Sequence, residues 1–289
     1  MRLTAQPIRS LATRWREPAV RTATFAARIT AGLVWLSNTD WKMPPDFGAD
    51  TGQGLARFTM NGVEHPVLAP FTWLVREVLL PNLGFFGWVI LVVETALAAS
   101  LLAGAFTRTA ALVGAGNALV ITLTVSRVPG EWAFAYYMMI ALHLAVFALD
   151  AGTVWGVDAL RARRRAGDAG LERAVRAGRA TVAGVLAATG VAVVALQADR
   201  PALTDANPFS GVHGIQGTVV LGALYLVLAA AVWLTAGRPA ARPLGWGLII
   251  LALAAVATYG SPVNVVSAAP STGAILAAAA AFLLVSGKR

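Results

Sequence analysis

Long apolar stretches separated by short polar turns run the whole length of the chain. A helix needs about 20 mostly apolar residues to cross the hydrocarbon of a bilayer. About eight segments meet that requirement, at 22–41, 83–104, 108–126, 132–150, 180–198, 215–236, 244–259 and 271–286. The pattern predicts an all-α fold, a polytopic integral membrane bundle of about eight transmembrane helices. The polar interruptions group the spans. A basic N-terminus over 1–21 precedes a four-helix bundle over 22–165. A linker rich in Gly, Ala and Arg over 166–179 leads to a second four-helix block over 180–289. Glu172 and Arg176 stand four residues apart in that linker, a helical pairing distance.

The longest polar interruption, 40–82, is too long for a plain loop. Its first part, KMPPDFGADTGQG, is rich in Pro, Gly and Asp and reads as turns. After Pro66, the residues Val67, Leu68, Phe71, Leu74, Val75, Val78 and Leu79 recur at helical spacing, with Arg76 and Glu77 opposite. That spacing predicts a short amphipathic helix lying at the outer interface. Trp41, Trp73, Trp88 and Trp132 fall near the same level, as in an interfacial aromatic belt.

Composition agrees with this pattern. With 57% hydrophobic residues, 13% charged and a mean hydropathy of +0.68, the chain is not an ordinary soluble domain. The formal charge of +9 raises nucleic acid as a partner, but the basic residues sit in short loops beside span ends. Topology explains them, because Lys and Arg accumulate on the cytoplasmic side. Arg2, Arg9, Arg14, Arg16, Arg21, Arg108, Arg161, Arg163, Arg164, Arg165, Arg173, Arg176, Arg179, Arg238, Arg242, Lys288 and Arg289 fall on one face. Lys42, Arg57, Arg76, Arg127 and Arg200, mixed with acids, fall on the other. Both termini are therefore expected in the cytoplasm, in a multi-pass protein of the plasma membrane with lipid as its first partner. The 161–179 arginines are expected near anionic lipid. The basic leader before an apolar segment resembles a signal peptide. Its length, Arg28 within the apolar run and the absence of a small-x-small site in SNTDWK instead predict a retained first helix.

Glu94 is the most informative residue, being the lone charge in the run LGFFGWVILVVETALAASLLAG. A carboxylate at mid-membrane costs about 2.5–3.5 kcal/mol on insertion scales and requires a partner. Depth counting at about 1.5 Å per residue places Arg28, Asn117 and His143 of the neighbouring spans within a compatible range. These residues are the candidate site: Glu94 and His143 for handling a proton, Arg28 and Asn117 for holding a ligand. Structural roles compete for each: a snorkelling Arg28, an interhelical Asn117, a satisfied core His143 and an Arg28–Glu94 ion pair. Arg108 and Asp158 fall just inside the cytoplasmic boundary and are expected to form an ion pair closing the bundle. In the second block the main buried polar candidate is Gln216. The 219–256 hairpin loosely mimics the second and third helices.

Several chemistries are ruled out by residue type. There are no cysteines, which removes disulfides, thiol catalysis and cysteine-ligated iron–sulfur clusters. Only His65, His143 and His213 exist, too few within spans for a two-histidine haem. No histidine or carboxylate cluster has metal-ligand spacing, and no phosphate-loop signature occurs. Electrons, if they pass here, belong to a quinone or to a partner chain.

Three stretches carry a family likeness: RITAGLVWLSNTDWK over 28–42, VVETALAASLLAGAFTRTAALVG over 92–114, and EWAFAYYMMIALHLAVFALDAGTVWGVDAL over 131–160. In order, spacing and topology they resemble the DoxX/DoxD family, four-helix membrane proteins that include the small subunit of thiosulfate:quinone oxidoreductase. The likeness covers about 21–165, and the second block lies beyond it. It implies a membrane subunit linked to quinone-coupled oxidation, with Lys42, Glu94, Arg108, His143 and Asp158 at matching motif positions. Trp41 and Lys42 then join the ligand-binding candidates, with a quinone as the ligand and a dehydrogenase as the partner. Two other readings stay open: a small-solute transporter built from two four-helix blocks, and a ligand-free membrane scaffold.

Overall fold

A computed structural model describes residues 6–198, 218–261, 263 and 268–288, with side chains described from residue 17 onward. Every regular element among them is helical. The first helix, α1 (Gln6–Ser37), runs without interruption through Pro18 and begins well before the predicted first span. It is followed by turns over 38–52 and by α2 (Gly54–Glu64). Sequence periodicity did not single out α2, because its buried face, Leu55, Ala56, Thr59 and Gly62, is small and partly polar.

The amphipathic segment after Pro66 is helical, as its spacing predicts, but it runs on into the next apolar helix. The short helix α3 (Ala69–Leu74) continues through a wide turn at Val75–Leu79 and a tight turn at Leu80–Asn82 into α4 (Leu83–Ala103). Together they form a helical run of 35 residues. Gly104, at φ +64°, ends α4 in the left-handed conformation that glycine adopts without cost. Then come α5 (Thr107–Val125), α6 (Ala133–Ala148) and α7 (Val157–Arg165). The last four are α8 (Leu171–Leu196), α9 (Val219–Thr235), α10 (Ala241–Ala257) and α11 (Pro270–Ser286). Residues 171–179, read from sequence as linker, are the opening turns of α8. Gln216, His213 and Arg200 lie outside the described residues.

Three helical runs are long and apolar enough to cross a membrane by length and composition: Ala69–Ala103, Thr107–Val125 and Leu171–Leu196. Four shorter apolar helices, α6, α9, α10 and α11, accompany them. Their outward faces are apolar. Phe85 and Val92 on α4, Met138 on α6, Val227 and Leu234 on α9, and Ile250 and Leu253 on α10 are all at least half exposed. Helices that are apolar on both faces fit a lipid surround rather than water.

The helices pack in two groups with α11 between them. Ala31, Trp35, Leu97, Ala98, Ala111 and Val146 form one core, from α1, α4, α5 and α6. Leu186, Leu221, Leu228, Leu248 and Leu283 contribute to the other, from α8 to α11. Ala274 of α11 belongs to the first core, whereas Leu276, Ala279 and Ala280 belong to the second. Small residues permit this close approach. A Cβ on Gly245 of α10 would stand 3.0 Å from Leu284, and one on Gly273 of α11 would stand 3.0 Å from the Ala252 carbonyl oxygen. The second block is thus joined to the first through its last helix.

Candidate functional site

The outer end of α1 is built to turn a lysine inward. Ser37 and Thr39 hydroxyls donate to the carbonyls of Val34 and Leu36, closing the last helical turn. The chain then bends so that Lys42 folds back beneath the helix end. There the Lys42 ammonium donates to the free Asn38 carbonyl and to Glu94 Oε2, the latter at 2.5 Å. Its remaining side faces the Trp41 ring, 4.3 Å from the centroid. Trp41 is itself oriented by donating to the Asn38 side-chain oxygen at 3.0 Å. Lys42 and Glu94 are each 2% exposed, so both charges are removed from solvent and neutralised by each other.

This corrects the partner expected for Glu94. Arg28 lies at the opposite end of α4, where it donates to the carbonyls of Leu101 at 2.6 Å and Leu102 at 3.0 Å. It also reaches Val154 and Trp155, at 3.4 and 3.5 Å. The last carbonyls of a helix have no partners within it and carry the negative end of its dipole, which makes them a stronger draw for a buried guanidinium than a carboxylate two turns away. Arg28 is a brace, and the depth count erred because it tracked levels along the helices without the direction of each side chain.

Asn117 does come to Glu94, with its amide nitrogen 3.5 Å from Oε1. His143 does not. It is fully buried between α1, α5 and α6, where its Nε2 accepts from the Trp35 indole at 2.8 Å. Its Nδ1 donates to the Met139 carbonyl at 2.7 Å. Both ring nitrogens are occupied, which sets a neutral ring with the proton on Nδ1. Gly114 makes the fit possible, since a Cβ there would stand 2.3 Å from the His143 ring.

The expected Arg108–Asp158 ion pair is also corrected. Arg108 stacks on Phe147, 4.3 Å from its centroid. Asp158 accepts from the backbone N–H groups of Phe106 and Thr107, both at 3.0 Å, and pairs with Arg161 at 3.3 Å. Its carboxylate therefore serves the positive start of α5, where a negative side chain is favoured.

Above the Lys42–Glu94 pair opens a cavity of about 750 Å³, within the size range of small-molecule sites. Helices α1, α2, α4, α5 and α6 and the wide turn at Val75–Leu79 line it. The lining is largely apolar, with Leu83, Phe86, Ile90, Ile121, Met139 and Leu142 prominent. Lys42, Glu94, Asn38 and Asn117 gather as a polar group in one wall, and Trp41, Tyr136 and Arg57 add polar edges. Arg28 and His143 are not among the lining residues. Asn38, Tyr136 and all of α2 were missed from sequence, since nothing in their spacing points inward. No group of three or more potential metal ligands occurs among the described residues. Compared with protein-family models, with curated proteins and with solved structures, the chain matches none.

Proposed function

We propose that the chain is a multi-pass protein of the plasma membrane, with about eight spans and both termini cytoplasmic, and that its cavity binds a quinone as part of a DoxX/DoxD-like subunit of a quinone-linked oxidoreductase. The observation that carries this reading is the position of the Lys42–Glu94 pair, at the wall of a large apolar cavity in the first four-helix group. An isoprenoid quinone combines an apolar ring and tail with two carbonyl oxygens. The apolar lining suits the first, and the Asn117 amide is a hydrogen-bond donor for the second.

Reduction of a quinone adds two electrons and two protons. Within the wall, Lys42 and Glu94 form a buried pair that is neutral as a whole, so a proton passed from Lys42 to the reduced quinone leaves one uncompensated negative charge on Glu94 until a proton is taken up again. Electrons come from a partner dehydrogenase in this reading. The basic segment 161–179, with Arg164 bonded to the Gly287 carbonyl just after α11, supports the cytoplasmic assignment.

The test is extraction of the protein purified in mild detergent. Quinone should be recovered well above the amount carried by bulk lipid. Ile121→Trp, which fills the cavity without touching the ion pair, should abolish recovery. Glu94→Gln should slow quinone reduction in membranes, and Lys42→Met with Glu94→Gln, which strands no buried charge, should slow it as well. Background-level quinone in the wild-type protein, together with unchanged kinetics in Glu94→Gln, overturns the reading. Solute flux in proteoliposomes that Glu94→Gln abolishes would favour transport in its place.

A further inference from the structure

A second cleft, of about 310 Å³, lies at the other end of the bundle, where α11 finishes. Four separate elements bring cations to it. Arg164 comes from α7, Arg176 and Arg179 from α8, Arg238 from the turn between α9 and α10, and Lys288 from the residues after α11. The one carboxylate in its wall is Glu172. Glu172 turns toward Lys288, at 3.9 Å, and not toward Arg176, its expected helical neighbour. Arg176, Arg179 and Arg238 have no ion-pair partner among the described residues. Arg164 is held in place by the Gly287 carbonyl at 2.8 Å. Arg179 lies over the Trp233 ring at 4.6 Å, with its Nε buried and unpartnered.

A bias in loop charge accounts for arginines on one side of a membrane, but it does not require them to converge. Five cations around one concave space with a single acid repel one another, and the arrangement is complete only with an anion in place. Arginine suits phosphate in particular, because its planar fork presents paired donors to phosphate oxygens. Half-exposed Trp233 of α9 lies under Arg179 of the cleft, so an apolar surface borders the charged one. We infer that this cleft binds a phosphate-bearing anion, held by Arg176, Arg179 and Arg238, with the phosphate at the cleft and the neighbouring apolar face available to acyl chains. Basic pockets between helices at a membrane boundary take lipid phosphates in this manner.

Two sources of phosphate, a lipid headgroup and free phosphate, are separated by native mass spectrometry and thermal unfolding of the full-length protein in detergent. The probes are diphosphatidylglycerol, phosphatidylcholine and inorganic phosphate. Retention of diphosphatidylglycerol over phosphatidylcholine, with a raised unfolding temperature, supports a lipid phosphate. Protection by inorganic phosphate alone supports a soluble phosphate compound. Arg176→Gln with Arg238→Gln should weaken the effective probe by about tenfold or more. Arg165→Gln with Arg173→Gln removes the same charge from residues outside the cleft and should leave binding close to wild type. No binding by any probe, or equal loss in the two double variants, overturns the proposal.

Discussion

Glu94 and Lys42 show how one residue pair links stability to chemistry. Each charge is nearly inaccessible, and each is tolerable only because the other is 2.5 Å away. Removing one partner strands the other, a loss of about 3–5 kcal/mol for buried pairs. Lys42→Met should therefore destabilise the protein by about that amount. Lys42→Met combined with Glu94→Gln should recover most of the loss, because no uncompensated charge remains. Thermal unfolding in detergent of the two single variants and the double variant checks this, and strictly additive losses would count against the coupling. Glu94 was legible in the sequence as an isolated charge in an apolar run. Its partner was not, because Lys42 reaches it only after the chain reverses at Asn38–Asp40. Lys42 was named on the family likeness, and its pairing came from the fold.

At the scale of elements, helix ends govern where the other polar groups go. The α4 C-terminus takes Arg28 and the α5 N-terminus takes Asp158, each a charge matched to the partial charge of a helix end. Asp158→Ala should cost about 1–2 kcal/mol, the usual range for losing a side chain that caps a helix start. Asp158→Asn keeps an acceptor oxygen and should cost less. Unfolding measurements on both variants test the order, and Asp158→Asn equal to or worse than Asp158→Ala would refute the capping role. The helix α4 itself was legible because 21 mostly apolar residues in a row admit few alternatives. The helix α2 was not, since a helix that lines a cavity and buries only Leu55, Ala56, Thr59 and Gly62 needs no strong period.

At the scale of the molecule, α11 joins two groups that look separate along the chain. Its first turn donates to Asp40 of the first group, from the Ser271 N–H at 2.9 Å and from the Ser271 hydroxyl at 2.5 Å. The Tyr259 hydroxyl, just after α10, donates to the Asp40 carbonyl. The proposed topology puts these contacts at the outer end and the phosphate cleft at the inner end. The chain has no cysteines, so single cysteines report side without background. A membrane-impermeant thiol reagent applied to intact cells should label Glu64→Cys and Glu131→Cys, whereas Asp168→Cys and Pro239→Cys should react only after the membrane is opened. Labelling of Asp168→Cys or Pro239→Cys in intact cells would reverse the orientation.

Hydrophobic length and period determined the all-helical character of the chain and the positions of the helices apolar enough to cross a membrane. These are local properties, set by each segment's own exchange of backbone and side-chain surroundings, and they need no knowledge of neighbours. Charge isolation likewise marked Glu94. Which groups meet was decided by the tertiary structure alone. The direction of a side chain around its helix, the chain reversal after α1, and the competition between carboxylates and free helix-end carbonyls for a buried cation all depend on residues far apart in sequence. For that reason Glu94 pairs with Lys42 rather than Arg28, Asp158 serves the start of α5 rather than Arg108, and arginines spread over four elements close around one cleft.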